Sequence, residues 1–268
     1  MATSYQLMKP PVGAQINWGH PLTKQLQVAL YPVASNRVYN LVNGRPAVYQ
    51  NNAIFINYRN NGVLFTNVNS SEWFQLDDGP ILTDKAFTFS AGSSKITGSG
   101  SGAVIAMNTT GTNNQTPHLR YASATTLTVA LYNNDLTITI PDISNGRYSC
   151  SSMVLPKSGI MEGWEGGILR GTLATGVTSF AMTSRIVLYG GSPVLGNGAI
   201  FTGHWSLIHD RTLSKNEIEW LNAEPYDMLY VPVARKYFVP AAPVADPRIS
   251  WYVPIDLPAP PVIEVVSY

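Results

Sequence analysis

Hydrophobic and polar residues alternate with a period of two along most of this chain, and the breaks in that period mark its turns. Leu127, Val129 and Leu131 alternate with Thr and Ala, and Leu136, Ile138 and Ile140 alternate with Thr. Between the two runs, Asn133, Asn134 and Asp135 tolerate positive φ, which predicts a hairpin. Residues 104–107, 147–155, 168–173 and 186–189 read as further strands, the last stopped by Gly190-Gly191-Ser192-Pro193. Along residues 199–208, Phe201, Gly203, Trp205 and Leu207 fall on one side of a strand, and Thr202, His204, Ser206 and Ile208 on the other.

The period then changes. Ser214-Lys215-Asn216-Glu217 has the form of a capping box, with Leu213 and Ile218 at the staple positions around it. A short helix follows, with Ile218 and Leu221 on one face and Pro225 at its end. Many short strands and almost no helical period predict two antiparallel sheets packed face to face. After residue 223 the pattern shifts again: nine of the nineteen prolines fall there, which excludes helix and central strands and predicts an extended arm. The predicted organisation is a lead over residues 1–15, extended through Pro10-Pro11, a sandwich over 16–222 and an arm over 223–268.

Composition narrows the function. A formal net charge of +1 over 268 residues gives no electrostatic case for nucleic acid or an acidic membrane surface. Charged residues are only 12%, replaced by Asn, Thr, Ser and Gly, which suits a sheet-rich surface. The single cysteine, Cys150, cannot form an internal disulfide and reads as a small buried hydrophobe. Residues 1–22 lack the charged and apolar regions of a signal peptide, and no run approaches the roughly 20 apolar residues of a membrane span. The expectation is a protein made in the cytoplasm.

Several stretches resemble a known family. Arg211, Leu213, Ser214, Glu217, Ile218 and Leu221 resemble the closing motif R-x-L-S-x-x-E-I-x-x-L of laminin-G-like, concanavalin A-like jelly rolls. Asn17-Trp18-Gly19-His20-Pro21-Leu22 resembles the opening of such proteins from tailed bacteriophages and prophages. Residues 36–44 resemble their V-x-D-L-x-G element, with Asn40 in place of the acid. Residues 62–65, 72–74 and 87–90 resemble three of their strands, and residues 223–238 the start of their C-terminal pattern. The resemblance implies an all-β, concanavalin A-like (laminin-G-like) antiparallel jelly-roll sandwich with one short helix. It also implies a non-enzymatic virion component, which needs no export signal because it leaves by lysis.

The chemistry expected is binding. The E-x-D-x-E triplet of retaining glucan hydrolases is absent, and Glu162 and Glu165, three apart, would face opposite sides of a strand. His209-Asp210 has no nucleophile elbow with it. His20, His118, His204 and His209 show no metal-ligand spacing, so no metal or cofactor is expected, and His204 and His209 read as structural. Gly98 to Gly102 lacks a phosphate loop's lysine and reads as a flexible connection. The arm carries Tyr226, Tyr230, Tyr237, Phe238, Trp251 and Tyr252, aromatics that bury surface either back along the sandwich or on a neighbouring subunit. The second option suits a homo-oligomer or a capsid lattice, with Tyr230, Tyr237, Phe238, Trp251 and Tyr252 as partner contacts. The expected function is a head decoration protein bound to other virion proteins through its arm; the alternative is a glycan-binding adhesin or tail module, and an enzyme with a divergent cleft is a third, minor reading. For the adhesin, Trp73 would stack on sugar and Asp77 and Asp78 would take hydroxyls, with Asn113 and Asn114 in a polar loop. Asp77-Asp78-Gly79-Pro80 also reads simply as a turn. Trp18 and Trp164 are core or contact residues; periodicity does not decide which.

Overall fold

A computed structural model of the chain describes residues 13–34, 37–50, 63–65, 73–82, 86–97, 102–108, 114–144, 147–177, 184–190, 192 and 200–230. Tyr237, Phe238, Trp251, Tyr252, Asn113 and the Gly98 loop up to Ser101 lie outside the described residues. In chain order the strands begin with β1 (Gln15–Ile16), β2 (Leu26–Ala34), β3 (Arg37–Asn40), β4 (Arg45–Pro46), β5 (Val48–Gln50) and β6 (Val63–Phe65). They continue with β7 (Trp73–Leu76), β8 (Phe87–Thr97), β9 (Gly102–Met107), β10 (His118–Ser123), β11 (Thr126–Ala130) and β12 (Asp135–Thr139). The last are β13 (Tyr148–Leu155), β14 (Ile160–Glu165), β15 (Ile168–Ala174), β16 (Val187–Tyr189), β17 (Ile200–His209) and β18 (Leu229–Tyr230), with helix α1 (Lys215–Ala223) before β18.

Two antiparallel sheets form a jelly-roll sandwich. One runs β12-β11-β10-β9-β16-β7-β5; the other runs β15-β14-β13-β8-β17-β2-β3-β4, with β6 also on β17. Phe74, Phe87, Phe89, Tyr121, Val129, Met153 and Ile208 fill the space between them. The larger sheet is covered on its other face too. Tyr31, Cys150, Val154, Trp164, Trp205 and Leu207 point outward from it and are packed by Leu22, Leu213, Ile218, Leu221 and Met228. This double burial explains why β13 reads as a continuous buried run, not an alternation.

Local chemistry explains the elements. Ser214 Oγ accepts from Glu217 N, and Glu217 Oε2 accepts from Ser214 N at 2.9 Å, so the predicted capping box is complete. Ile218 and Leu221 are its buried residues, as their spacing predicts. The β11–β12 hairpin is present, but positive φ falls on Tyr132 and Asn133, not on Asn134 or Asp135. Leu131 N donates to Asn134 O at 3.2 Å and closes the turn around them. Asn40 is buried, and its Oδ1 accepts from Ala29 N and Val42 N, so the amide oxygen takes two backbone bonds and fixes the turn after β3.

The chain just beyond the helix packs against the outer face of the larger sheet. β18 pairs with β1, Asn17 N donates to Met228 O at 2.8 Å, and Tyr31 Oη donates to Pro225 O at 3.2 Å. Residues 225–230, assigned to an arm by their composition, therefore pack on this chain's own outer core. No helix among the described residues is long and apolar enough to cross a membrane.

Candidate functional site

Strand β7 lies near the edge of the seven-stranded sheet, between β16 and β5. Its alternation sends Phe74 and Leu76 into the core between the sheets and leaves Trp73 and Gln75 on the opposite face. Trp73 packs against Ala103, Ala106 and Leu188, small and apolar side chains that give the indole a floor and leave it half-buried. Its Nε1 donates to Gln75 Oε1 at 3.5 Å, and Gln75 Nε2 donates to Asp77 Oδ1 at 2.7 Å. The result is an aligned indole, amide and carboxylate, with exposed Val48 beside Gln75 on the neighbouring strand. Trp73 and Asp77, named from sequence, are thus brought together; Gln75, which links them, carried no sequence signal beyond its alternate position.

Asp78 has a different role in the geometry. Its Oδ2 accepts from Asn43 Nδ2 at 2.7 Å and from Arg45 Nη1 at 3.1 Å, tying the loop after β3 to the end of β7. The expected turn at Asp77-Asp78-Gly79-Pro80 is instead a run alongside Arg185. Gly79 N donates to Arg185 O at 2.7 Å, and Arg185 Nε donates to Gly79 O at 2.9 Å. A Cβ at Gly79 would meet that same carbonyl at 2.7 Å, so this approach needs glycine.

The groups weighed for catalysis are occupied structurally. Trp164 Nε1 donates to Glu162 Oε2 at 2.9 Å on the outer face of β14. Glu165 is buried on the inner side, accepting from Ser149 Oγ at 3.5 Å and paired with Arg170 at 3.0 Å. A register shift in the β14–β15 pair leaves Arg170 without an opposite residue, and its guanidinium reaches Glu165 from there. His204 Nε2 bonds Ser94 Oγ and His209 Nε2 bonds Leu22 O, both at 2.8 Å. Burial lowers the pKa of His209 and of His118 to about 4, so both imidazoles are neutral. Burial, with Glu165 adding to it, pushes the Cys150 thiol well up, as expected of a packed side chain and not of a nucleophile. Among the described residues no three His, Cys, Asp or Glu side chains come together as metal ligands.

Two aromatics left open by sequence are now placed. Trp164 is 7% exposed in the outer core, whereas Trp18 is 58% exposed on a turn. Tyr230, half-exposed at the end of β18, donates to Gln15 Oε1 at 3.1 Å within its own chain. Asn114 accepts from Asn134 Nδ2 at 2.7 Å and supports the β11–β12 turn.

No family model and no curated protein matches the chain. Among solved structures it is similar to the binding domain of botulinum neurotoxin DC in complex with SialylT, at 13% identity and a TM-score of 0.57. That match covers 76% of this chain and 52% of the neurotoxin domain. It is similar to a botulinum neurotoxin type C structure concerned with interaction with two ganglioside molecules, at 13% identity, TM-score 0.55, and coverage of 75% and 51%. It is also similar to Trypanosoma rangeli sialidase in complex with sialic acid, at 13% identity, TM-score 0.55, and coverage of 76% and 33%. The chain spans about half the length of the neurotoxin structures and a third of the sialidase. At these identities the likeness is one of fold.

Proposed function

We propose that this chain is a non-enzymatic module that binds glycans, with Trp73, Gln75 and Asp77 as its contact residues. The observation that carries the reading is their alignment on the outer face of β7. A pyranose ring has an apolar face that stacks on an indole and hydroxyls that seek an amide and a carboxylate. Gln75 is held from both sides, so little side-chain entropy remains to be lost on binding. Asp78 acts by fixing the end of the strand through Asn43 and Arg45. The similar structures are described with SialylT, gangliosides and sialic acid, which favours a glycan ligand over a capsid-lattice role. A binding role also suits Glu162 and Glu165, which lie on opposite faces of β14 where no sugar can sit between them.

A glycan array probed with the purified protein tests this. Binding to at least one glycan class is expected, with Trp73→Ala losing about 1–2 kcal/mol, roughly a 5- to 30-fold drop in affinity. Asp77→Asn should weaken binding less, since it keeps one acceptor. Silence across the whole array would end the reading, and undiminished binding by Trp73→Ala would move the site elsewhere.

A further inference from the structure

A second cluster lies where both ends of the sandwich meet the helix. Residues 17–20 form a turn closed by His20 N donating to Asn17 O at 2.9 Å, and the turn is tied to the segment between α1 and β18 by Asn17 N donating to Met228 O. His20 is set edge-on to Trp220 of α1, with ring centroids 4.5 Å apart at 65°. Trp220 Nε1 donates to Asp227 Oδ2 at 3.0 Å, and His20 Nε2 lies 3.3 Å from the same oxygen. Leu22 N donates to His20 Nδ1 at 3.2 Å, so Nε2 is the nitrogen that carries the proton and donates to Asp227.

This arrangement does little for folding. Trp18 and Trp220 are 58% and 37% exposed, while Ile218 and Leu221 make the helix's buried contacts. Trp220 is part-exposed beside a half-exposed carboxylate, and Trp18 is exposed on the turn that carries His20; large indoles left in water are groups awaiting a partner. The cluster is also held in place: Asp227 Oδ2 takes both N–H donors, which orients the Trp220 ring and leaves Oδ1 directed away from them. Asn17 Oδ1 is engaged by Gly19 N at 3.1 Å, which leaves the Asn17 amide N–H groups as donors.

We infer that Trp18, Trp220, Asp227 and Asn17 form a second saccharide subsite, selective for neutral pyranosides that present an apolar face. Indole faces take that sugar face, the Asp227 carboxylate accepts from ring hydroxyls, and the Asn17 amide donates to them. A cation cage would be built from acceptors and aromatics alone, and the Asn17 donors argue against it. Asp227, with exposed Glu224 three residues before it, disfavours sugars that carry a carboxylate. The inference rests on this geometry and not on the site at Trp73, although both would serve one glycan-binding protein and two sites on one chain raise avidity.

The test is a titration of the full chain with lactose and with cellobiose, and with 3′-sialyllactose as the charged control. Binding is read by intrinsic tryptophan fluorescence and by saturation-transfer NMR. Saturable binding of a neutral disaccharide is expected to persist in the Trp73→Ala chain, and to be weakened at least about tenfold in that background by either Trp18→Ala or Asp227→Asn. Circular dichroism melts of the variants confirm that they fold; Trp18 is exposed and Asp227→Asn is isosteric. Binding lost only in Trp73→Ala overturns this subsite and leaves the first one standing. No response to either neutral sugar at tens of millimolar, or tighter binding of sialyllactose through Trp18, also overturns it, while the array with Trp73→Ala judges the first site separately.

Discussion

Gly92 shows how one residue governs the outer core. It lies on β8 opposite Trp205, whose Nε1 donates to Tyr148 Oη at 3.0 Å directly over the glycine. A Cβ at Gly92 would stand within contact distance of both the Trp205 indole nitrogen and Tyr148 Oη, so neither could keep its place. Gly92→Ala should cost about 3 kcal/mol, read as a lower urea midpoint with an unchanged m-value. An alanine tolerated there without loss would mean that the Trp205–Tyr148 pair shifts freely. Nothing in the alternation along residues 87–97 distinguishes Gly92 from any other small strand residue. The requirement comes from Trp205, more than a hundred positions away. Trp18 and Trp164 make the same point: both are isolated tryptophans, and exposure was decided by what packs over them.

At the scale of the element, α1 is specified twice over. Its capping box is local and legible in four residues. Its docking is not: Arg211 forms two bonds to Glu217, at 2.9 and 2.7 Å, and its Nε donates to Lys24 O at 2.9 Å, tying the helix start to the turn before β2. Burial opposes ionisation of Glu217, but the bonds from Arg211 and Ser214 outweigh it and pull its pKa down to about 2. Ser214→Ala removes the cap while leaving Arg211 paired, and should cost about 1 kcal/mol in urea unfolding. A loss too small to measure would show that Arg211 alone holds the helix start. Strands were legible in the same partial way. Alternation reveals a strand that is buried on one face, as in β12, whereas β10 and β14 carry no clean period. In β14 the inner positions are Met161, Gly163 and Glu165. Gly163 there leaves room for Val129 and Leu136 from the opposite sheet, so the hydrophobic signal is missing from the strand itself.

For the whole molecule, buried histidines set the response to acid. His118 and His209 are held neutral with pKa values near 4, below the ordinary 6.5. A base whose pKa falls on folding takes up its proton first in the unfolded chain. Stability is therefore complete above about pH 6.5 and declines as pH drops from there toward 4, by up to about 1.4 kcal/mol per pH unit for each group. Glu217 adds a second, lower window: its depressed pKa contributes above about 4.5 and is lost as pH falls toward 2. Urea midpoints should thus fall steadily from pH 7 to pH 4. His209→Gln, which keeps a donor for Leu22 O, should flatten that fall; a flat profile in the wild-type protein would show that the imidazoles protonate without unfolding.

What the sequence determined by itself is what repeats over short distances. Period two, turn residues and a capping box specify an all-β chain closed by one short helix, because each depends on neighbours within a few positions. Tertiary structure decided which face of each strand meets which layer, and therefore which polar groups meet one another. Trp73, Gln75 and Asp77 share an outer face because Phe74 and Leu76 are drawn into the core. His20 and Asp227 meet across 207 positions only because β1 pairs with β18 beside the helix. Such contacts follow from burial and sheet order, which the whole chain settles together and no local pattern encodes.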